Sequence, residues 1–124
     1  MFQLLRQAMT AVYNTVYPPA RKPIPLKLRH QVWEKYHPKK QDGVCYCCGV
    51  KLQKSQWHCS HVVSDKCGGK AEITNLRVCC AHCNTSMRKM NLYTYMFSQG
   101  LYGPGRQNML SYIIHNPWQY LSKR

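Results

Sequence analysis

"WHCSHVVSDKCGGKAEITNLRVCCAHCN", Trp57 to Asn84, holds three histidines, five cysteines, a Gly-Gly pair and two asparagines. Upstream lies a second sulfur-rich stretch, "CYCCG", Cys45 to Gly49. The cleanest pairs are Cys45-x-x-Cys48 and Cys80-x-x-Cys83. Each pair can grip one side of a tetrahedral zinc ion through thiolates on a tight knuckle. Gly49, directly after Cys48, suits the sharp turn that lets backbone N–H groups face the sulfurs. Together the pairs predict a structural Zn2+ held by Cys45, Cys48, Cys80 and Cys83, with disulfides as the competing reading. Cys47 and Cys79 adjoin the proposed ligands and could act as alternates, while His82 reads as exposed. Cys59 and Cys67 read as buried thiols. The gap between the pairs exceeds the roughly 15–20 residues of a simple zinc ribbon, so it must contain a unit of its own.

Working outward, "LKLRHQVWEKY" places Leu28, Val32, Trp33 and Tyr36 on one stripe and predicts a short helix over about 26–36. "VKLQKSQWHCSHVV" suggests β structure, and "ITNLRVC" is extended or irregular. A helix should begin near Cys80 and run toward Phe97, with "QGLYGPG" breaking it. Residues 2–16 carry Leu5, Ala8, Met9 and Val12 at helical spacing, and Pro18-Pro19 ends that pattern. "PPARKPIP" reads as an extended basic linker. Two short helices are expected in "RQNMLSYIIH" and "NPWQYLSKR". The organisation is therefore an N-terminal amphipathic helix with a basic linker (1–23), a central zinc-bound domain (24–97) and an aromatic-rich helical tail (98–124). The class is α+β.

Charge sets the partner. Eighteen Lys and Arg face four acids, Glu34, Asp42, Asp65 and Glu72, for a net charge of +14. Such an imbalance favours a polyanion, most simply nucleic acid. The N-terminus is no secretory signal, because Gln3, Arg6, Gln7 and Thr10 interrupt any apolar run, and no membrane span is expected. Cysteine clusters in a reducing, intracellular compartment point to metal.

The order His61, Gly68-Gly69, Asn75-Leu76, Cys80-x-x-Cys83-Asn84 resembles the HNH endonuclease family, whose ββα-metal site is often framed by two C-x-x-C pairs. The likeness spans residues 24 to about 96. Its flanks, "IPLKLRHQVWEKY", "CYCCG" and "CNTSM", resemble HNH proteins of large DNA viruses and phages, which would place the chain in a virion or a virus-infected cell. The resemblance implies a zinc-stabilised ββα-metal core with flanking helices. It also implies hydrolysis of DNA phosphodiester bonds with Mg2+ or another divalent cation. His61 matches the general base, Asn75 the asparagine that ties down the loop behind it, and Asn84 the carboxamide ligand of the catalytic metal.

The chain departs from the pattern in three places. Many members carry Asp or His directly before the base, where this chain has Ser60. Some viral relatives carry an acid three residues before it, where this chain has His58, an imidazole suited to transition metals rather than Mg2+. After the motif, Arg88 and Lys89 replace small residues. On a continued helix Arg88 would share a face with Asn84; with Lys89 it could grip a phosphate, or it could occupy the metal's space. Two functions follow: an HNH-type nuclease, or an inactive, zinc-stapled basic protein of the same fold that binds nucleic acid or builds a virion. Other proteins could bind through the N- and C-terminal segments.

Overall fold

The computed structural model describes residues 2–16 and 23–117. Its elements are helix α1 (Phe2–Val16), helix α2 (Leu26–Tyr36), strands β1 (Asp42–Val44), β2 (Lys51–Gln53), β3 (His58–His61) and β4 (Leu76–Cys79), then helices α3 (Ala81–Met87), α4 (Leu92–Gln99) and α5 (Arg106–His115). The class is α+β, as the sequence predicts. Residues 18–22 of the expected linker and the expected helix from Trp118 onward lie outside the described residues, and 23–25 form no regular element.

Two antiparallel hairpins carry the fold. β1 pairs with β2, placing Asp42 opposite Gln53 and Val44 opposite Lys51. The turn between these strands is the first cysteine knuckle, and Gly49 there has the left-handed φ of +78° that its position calls for. β3 pairs with β4, with His58 opposite Cys79, Ser60 opposite Arg77 and His61 opposite Leu76. Helix α3 follows β4 directly and lies against β3. This is a ββα unit with the second cysteine pair at its strand-to-helix joint.

Strand β3 is covered on both sides, because Cys59, Ser60 and His61 are all buried. Cys59 joins Val32, Trp33, Leu76 and Val78 in a core that lies under α2. Trp33 is fully buried, and its indole N–H donates to the Lys40 carbonyl at 2.8 Å, so its one polar group is satisfied. A second core collects the cysteines of both pairs with Tyr46, Met87, Leu92, Tyr93, Met96 and Met109.

The helix expected from Cys80 to Phe97 is two helices. α3 stops at Met87, and Arg88 takes φ +51°, which no α-helical residue adopts. Asn91 then caps α4, its side-chain oxygen accepting from the N–H groups of Tyr93 (2.9 Å) and Thr94 (3.4 Å). The "QGLYGPG" stretch does more than break a helix. Gly103 and Gly105 donate backbone hydrogen bonds to the carbonyls of Cys47 and Tyr46, both at 2.9 Å. Asn108 of α5 donates to the Tyr46 hydroxyl at 2.9 Å, and that hydroxyl lies 2.8 Å from the Tyr93 hydroxyl.

Candidate functional site

Local chemistry builds two adjoining sites. The first is sulfur. The Sγ atoms of Cys45, Cys48, Cys80 and Cys83 all lie within 4.8 Å of one another, and three of the four residues are buried. Cys48 Sγ and Cys80 Sγ stand 3.8 Å apart. Four sulfurs about 2.3 Å from a shared zinc ion would be about 3.8 Å apart along each tetrahedral edge. The backbone supports thiolate here: Cys80 N–H donates to Cys45 Sγ at 3.3 Å, and Cys83 N–H donates to Cys80 Sγ at 3.4 Å. Hydrogen bonds with Cys47 and Cys79 hold Cys45 well below the ordinary thiol range. The same bonds to Cys45 push Cys47 and Cys79 up, while burial raises Cys48 and Cys83. Burial, with the Cys83 sulfur beside it, pushes the Tyr95 phenol up to about 12 and keeps it a donor. These four cysteines are positioned to bind a metal, and an all-thiolate tetrahedral set suits zinc.

The other predicted sulfurs sort differently. Cys47 and Cys79 do not enter the group of four; they pair with each other at 3.7 Å between sulfurs and close a separate trio with Cys45. His82 is exposed, as expected. Cys59 is buried, but Cys67 is exposed, contrary to its expected burial. The reason is that Cys67 ends a short 3₁₀ turn on the outer loop rather than a strand facing a core.

The second site is polar. Strand alternation sends the side chains of His58 and Ser60 to one face of β3, and Asn84 of α3 meets both. The Ser60 hydroxyl donates to Asn84 Oδ1 at 2.7 Å, and Asn84 Nδ2 lies 3.2 Å from His58 Nδ1. Ser60 is almost wholly buried, whereas His58 is exposed. Asn84 is not the N-cap of α3. Cys80 holds that place, its sulfur accepting from Cys83 N–H, and Asn84 is already the donor of the first helical bond, to the Cys80 carbonyl at 3.0 Å. Its carboxamide is therefore free of a capping role and turns to β3.

His61 is the last residue of β3, next along the chain from Ser60, and is 8% exposed. The loop after it is tied on both sides. Asn75 Oδ1 accepts from Val63 N–H at 2.9 Å, and Asn75 Nδ2 donates to the carbonyls of Val63 and Lys70, each at 3.0 Å. The Gly-Gly pair serves this closure. Gly68 takes φ +91°, and a side-chain carbon at Gly69 would collide with the Val63 carbonyl and press on Asn75 Nδ2. Arg88 and Lys89 are exposed at the end of α3. With Arg88 outside the helix, the shared helical face expected for Arg88 and Asn84 does not form. Among the described residues, no group of three or more His, Cys, Asp and Glu besides the two cysteine groups is arranged to hold a metal.

Residues 45–89 match the HNH endonuclease family model. No curated protein and no solved structure matches the chain. The matched segment spans both cysteine pairs, His61, the Gly-Gly turn, Asn75 and Asn84. Among the described residues, no helix is long and apolar enough to cross a membrane.

The site's unpredicted member is Ser60. Its signal was present, since residues 58 and 60 must share a strand face. The trio of Cys45, Cys47 and Cys79 was hidden because its two extra sulfurs adjoin the ligands of the tetrad.

Proposed function

We propose that this protein is an HNH-type endonuclease that hydrolyses DNA phosphodiester bonds with a divalent cation, on a scaffold stapled by zinc at Cys45, Cys48, Cys80 and Cys83. The observation that carries this reading is the meeting of His58, Ser60 and Asn84 beside His61, inside the segment that matches the family model. His61 is the general base: an imidazole titrates near neutrality and can take a proton from water. Asn75 is a positioning residue, fixing the loop behind His61 through its three hydrogen bonds. Asn84 Oδ1 and His58 Nδ1 would hold the catalytic cation, which when bound neutralises a phosphate oxygen and stabilises the leaving oxygen. This donor set is neutral and half imidazole, so it fits Mn2+ or Ni2+ better than Mg2+. Arg88 and Lys89, just beyond the end of α3, supply exposed positive charge for the DNA backbone. Because such contacts release counterions, DNA affinity should fall steeply as salt rises in a binding titration.

One observation favours a second reading, a zinc-stapled basic protein of this fold that binds nucleic acid, or builds a virion, without cutting. The Ser60 hydroxyl already satisfies the Asn84 oxygen that a cation would use. Cleavage of supercoiled plasmid with Mg2+, Mn2+ and Ni2+ in turn separates the two readings. Cation-dependent nicking that His61→Ala abolishes supports the nuclease. Full binding with no nicking under any cation supports the second reading.

A further inference from the structure

The HNH framework accounts for four cysteines of the buried cluster and leaves two over. Cys47 and Cys79 are both fully buried, and their sulfurs stand 3.7 Å apart. With Cys45 they form a trio whose sulfurs all lie within 4.8 Å of one another, so Cys45 belongs to both the trio and the tetrad. The 3.7 Å separation is close to the 3.8 Å between Cys48 and Cys80 in the tetrad. The trio therefore has the sulfur spacing of a second coordination site, fused to the first at one thiolate.

From this geometry we infer a second metal site, Cys45–Cys47–Cys79, for a soft monovalent ion of the Cu+ class, bridged to the four-cysteine site through Cys45. Three arguments select the ion. All donors are sulfur, and no His, Asp or Glu joins the trio, which disfavours Mg2+, Ca2+ and Mn2+. Three donors make a trigonal site, whereas structural zinc takes four. The site is dry, since all three cysteines are fully buried, so an ion of single charge loses less hydration on entry than a divalent one. Binding is an exchange without electron transfer: Cu+ enters, and the thiol protons of Cys47 and Cys79 leave. Strand pairing and the knuckle hold the donors in place. Cys79 sits on β4, and the Cys47 carbonyl is anchored by Gly103. The inference does not depend on whether the chain cuts DNA.

The test uses the full chain, reduced, stripped of metal and reconstituted first with Zn2+ and then with Cu+ delivered from a competing chelator. Elemental analysis should find one zinc and one copper per chain. X-ray absorption at the copper edge should show three sulfur neighbours and a nearby zinc. A Cys47→Ser/Cys79→Ser double variant should keep its zinc and lose the copper. Copper that enters only by expelling zinc, a four-sulfur copper shell, or no copper uptake would overturn the proposal. So would a folded double variant that binds copper as the parent does. If the double variant loses zinc as well, the stoichiometry and sulfur count of the unaltered chain decide the matter alone.

Discussion

Two ends of one ββα unit are furnished in opposite ways. At the joint of β4 and α3, six cysteine sulfurs crowd around two overlapping sites, more than one ion needs. One helical turn away, where Asn84 faces β3, the groups that meet are an imidazole, a carboxamide and a hydroxyl. The contrast separates two jobs that a metal could do on one small scaffold. A tetrathiolate ties chain segments together, and its strength comes from charge on sulfur in a buried setting. A cation that assists hydrolysis needs open, hard donors and room for phosphate. In this chain the sulfur donors are oversupplied, and the donor set proposed for a cutting cation is neutral.

The largest expected effect breaks the sulfur end. Cys48→Ser or Cys83→Ser should abolish metal binding at the tetrad and unfold residues of the 45–89 segment, since metal bound there would be folding free energy. Circular dichroism and zinc content should fall together, and a strong chelator should do the same to the parent protein. The polar end should fail differently. His61→Ala should lower plasmid cleavage by about 100-fold or more, with zinc content and DNA affinity unchanged, because a base acts only on the reacting water. If cleavage persists at the parent rate, His61 is not the base.

Smaller changes sharpen the contrast. His58→Asp adds the missing carboxylate beside Asn84, and the ratio of Mg2+- to Mn2+-supported cleavage should rise several-fold. An unchanged ratio would remove His58 from the cation's shell. Asn75→Ala deletes three hydrogen bonds behind His61 and should cost about 1–3 kcal/mol in a denaturant titration. It should leave zinc content intact and lower the cleavage rate through misplacement of the loop. A rate unchanged despite that loss of stability would deny Asn75 its positioning role.

Much of this was legible in the chain. The stripe of Leu28, Val32, Trp33 and Tyr36 marks α2 to the residue, and the two C-x-x-C pairs mark the tetrad, because both are local patterns with fixed periods. The break between α3 and α4 was also local but weak. Asn91 directly before "LYTYM" is an N-cap signal, yet Arg88 at positive φ has no signature in its residue type. The bond of Ser60 to Asn84 and the pairing of Cys47 with Cys79 are contacts between distant residues. They depend on register and on the seating of α3, which periodicity does not encode. The docking of Gly103 and Gly105 on the first knuckle is of the same kind.

That docking has a consequence for the order in which the molecule assembles. Gly103 and Gly105 take as their acceptors the carbonyls of Cys47 and Tyr46, inside the turn that carries the first cysteine pair. Before the knuckle closes, those acceptors have no fixed positions, and α5 has only α4 to settle on. The chain around α5 should therefore wait. Contacts across such long stretches of sequence are slow to form by themselves, so an ion captured by the proposed zinc site would set the time at which the C-terminal helix gains its anchors on the first knuckle.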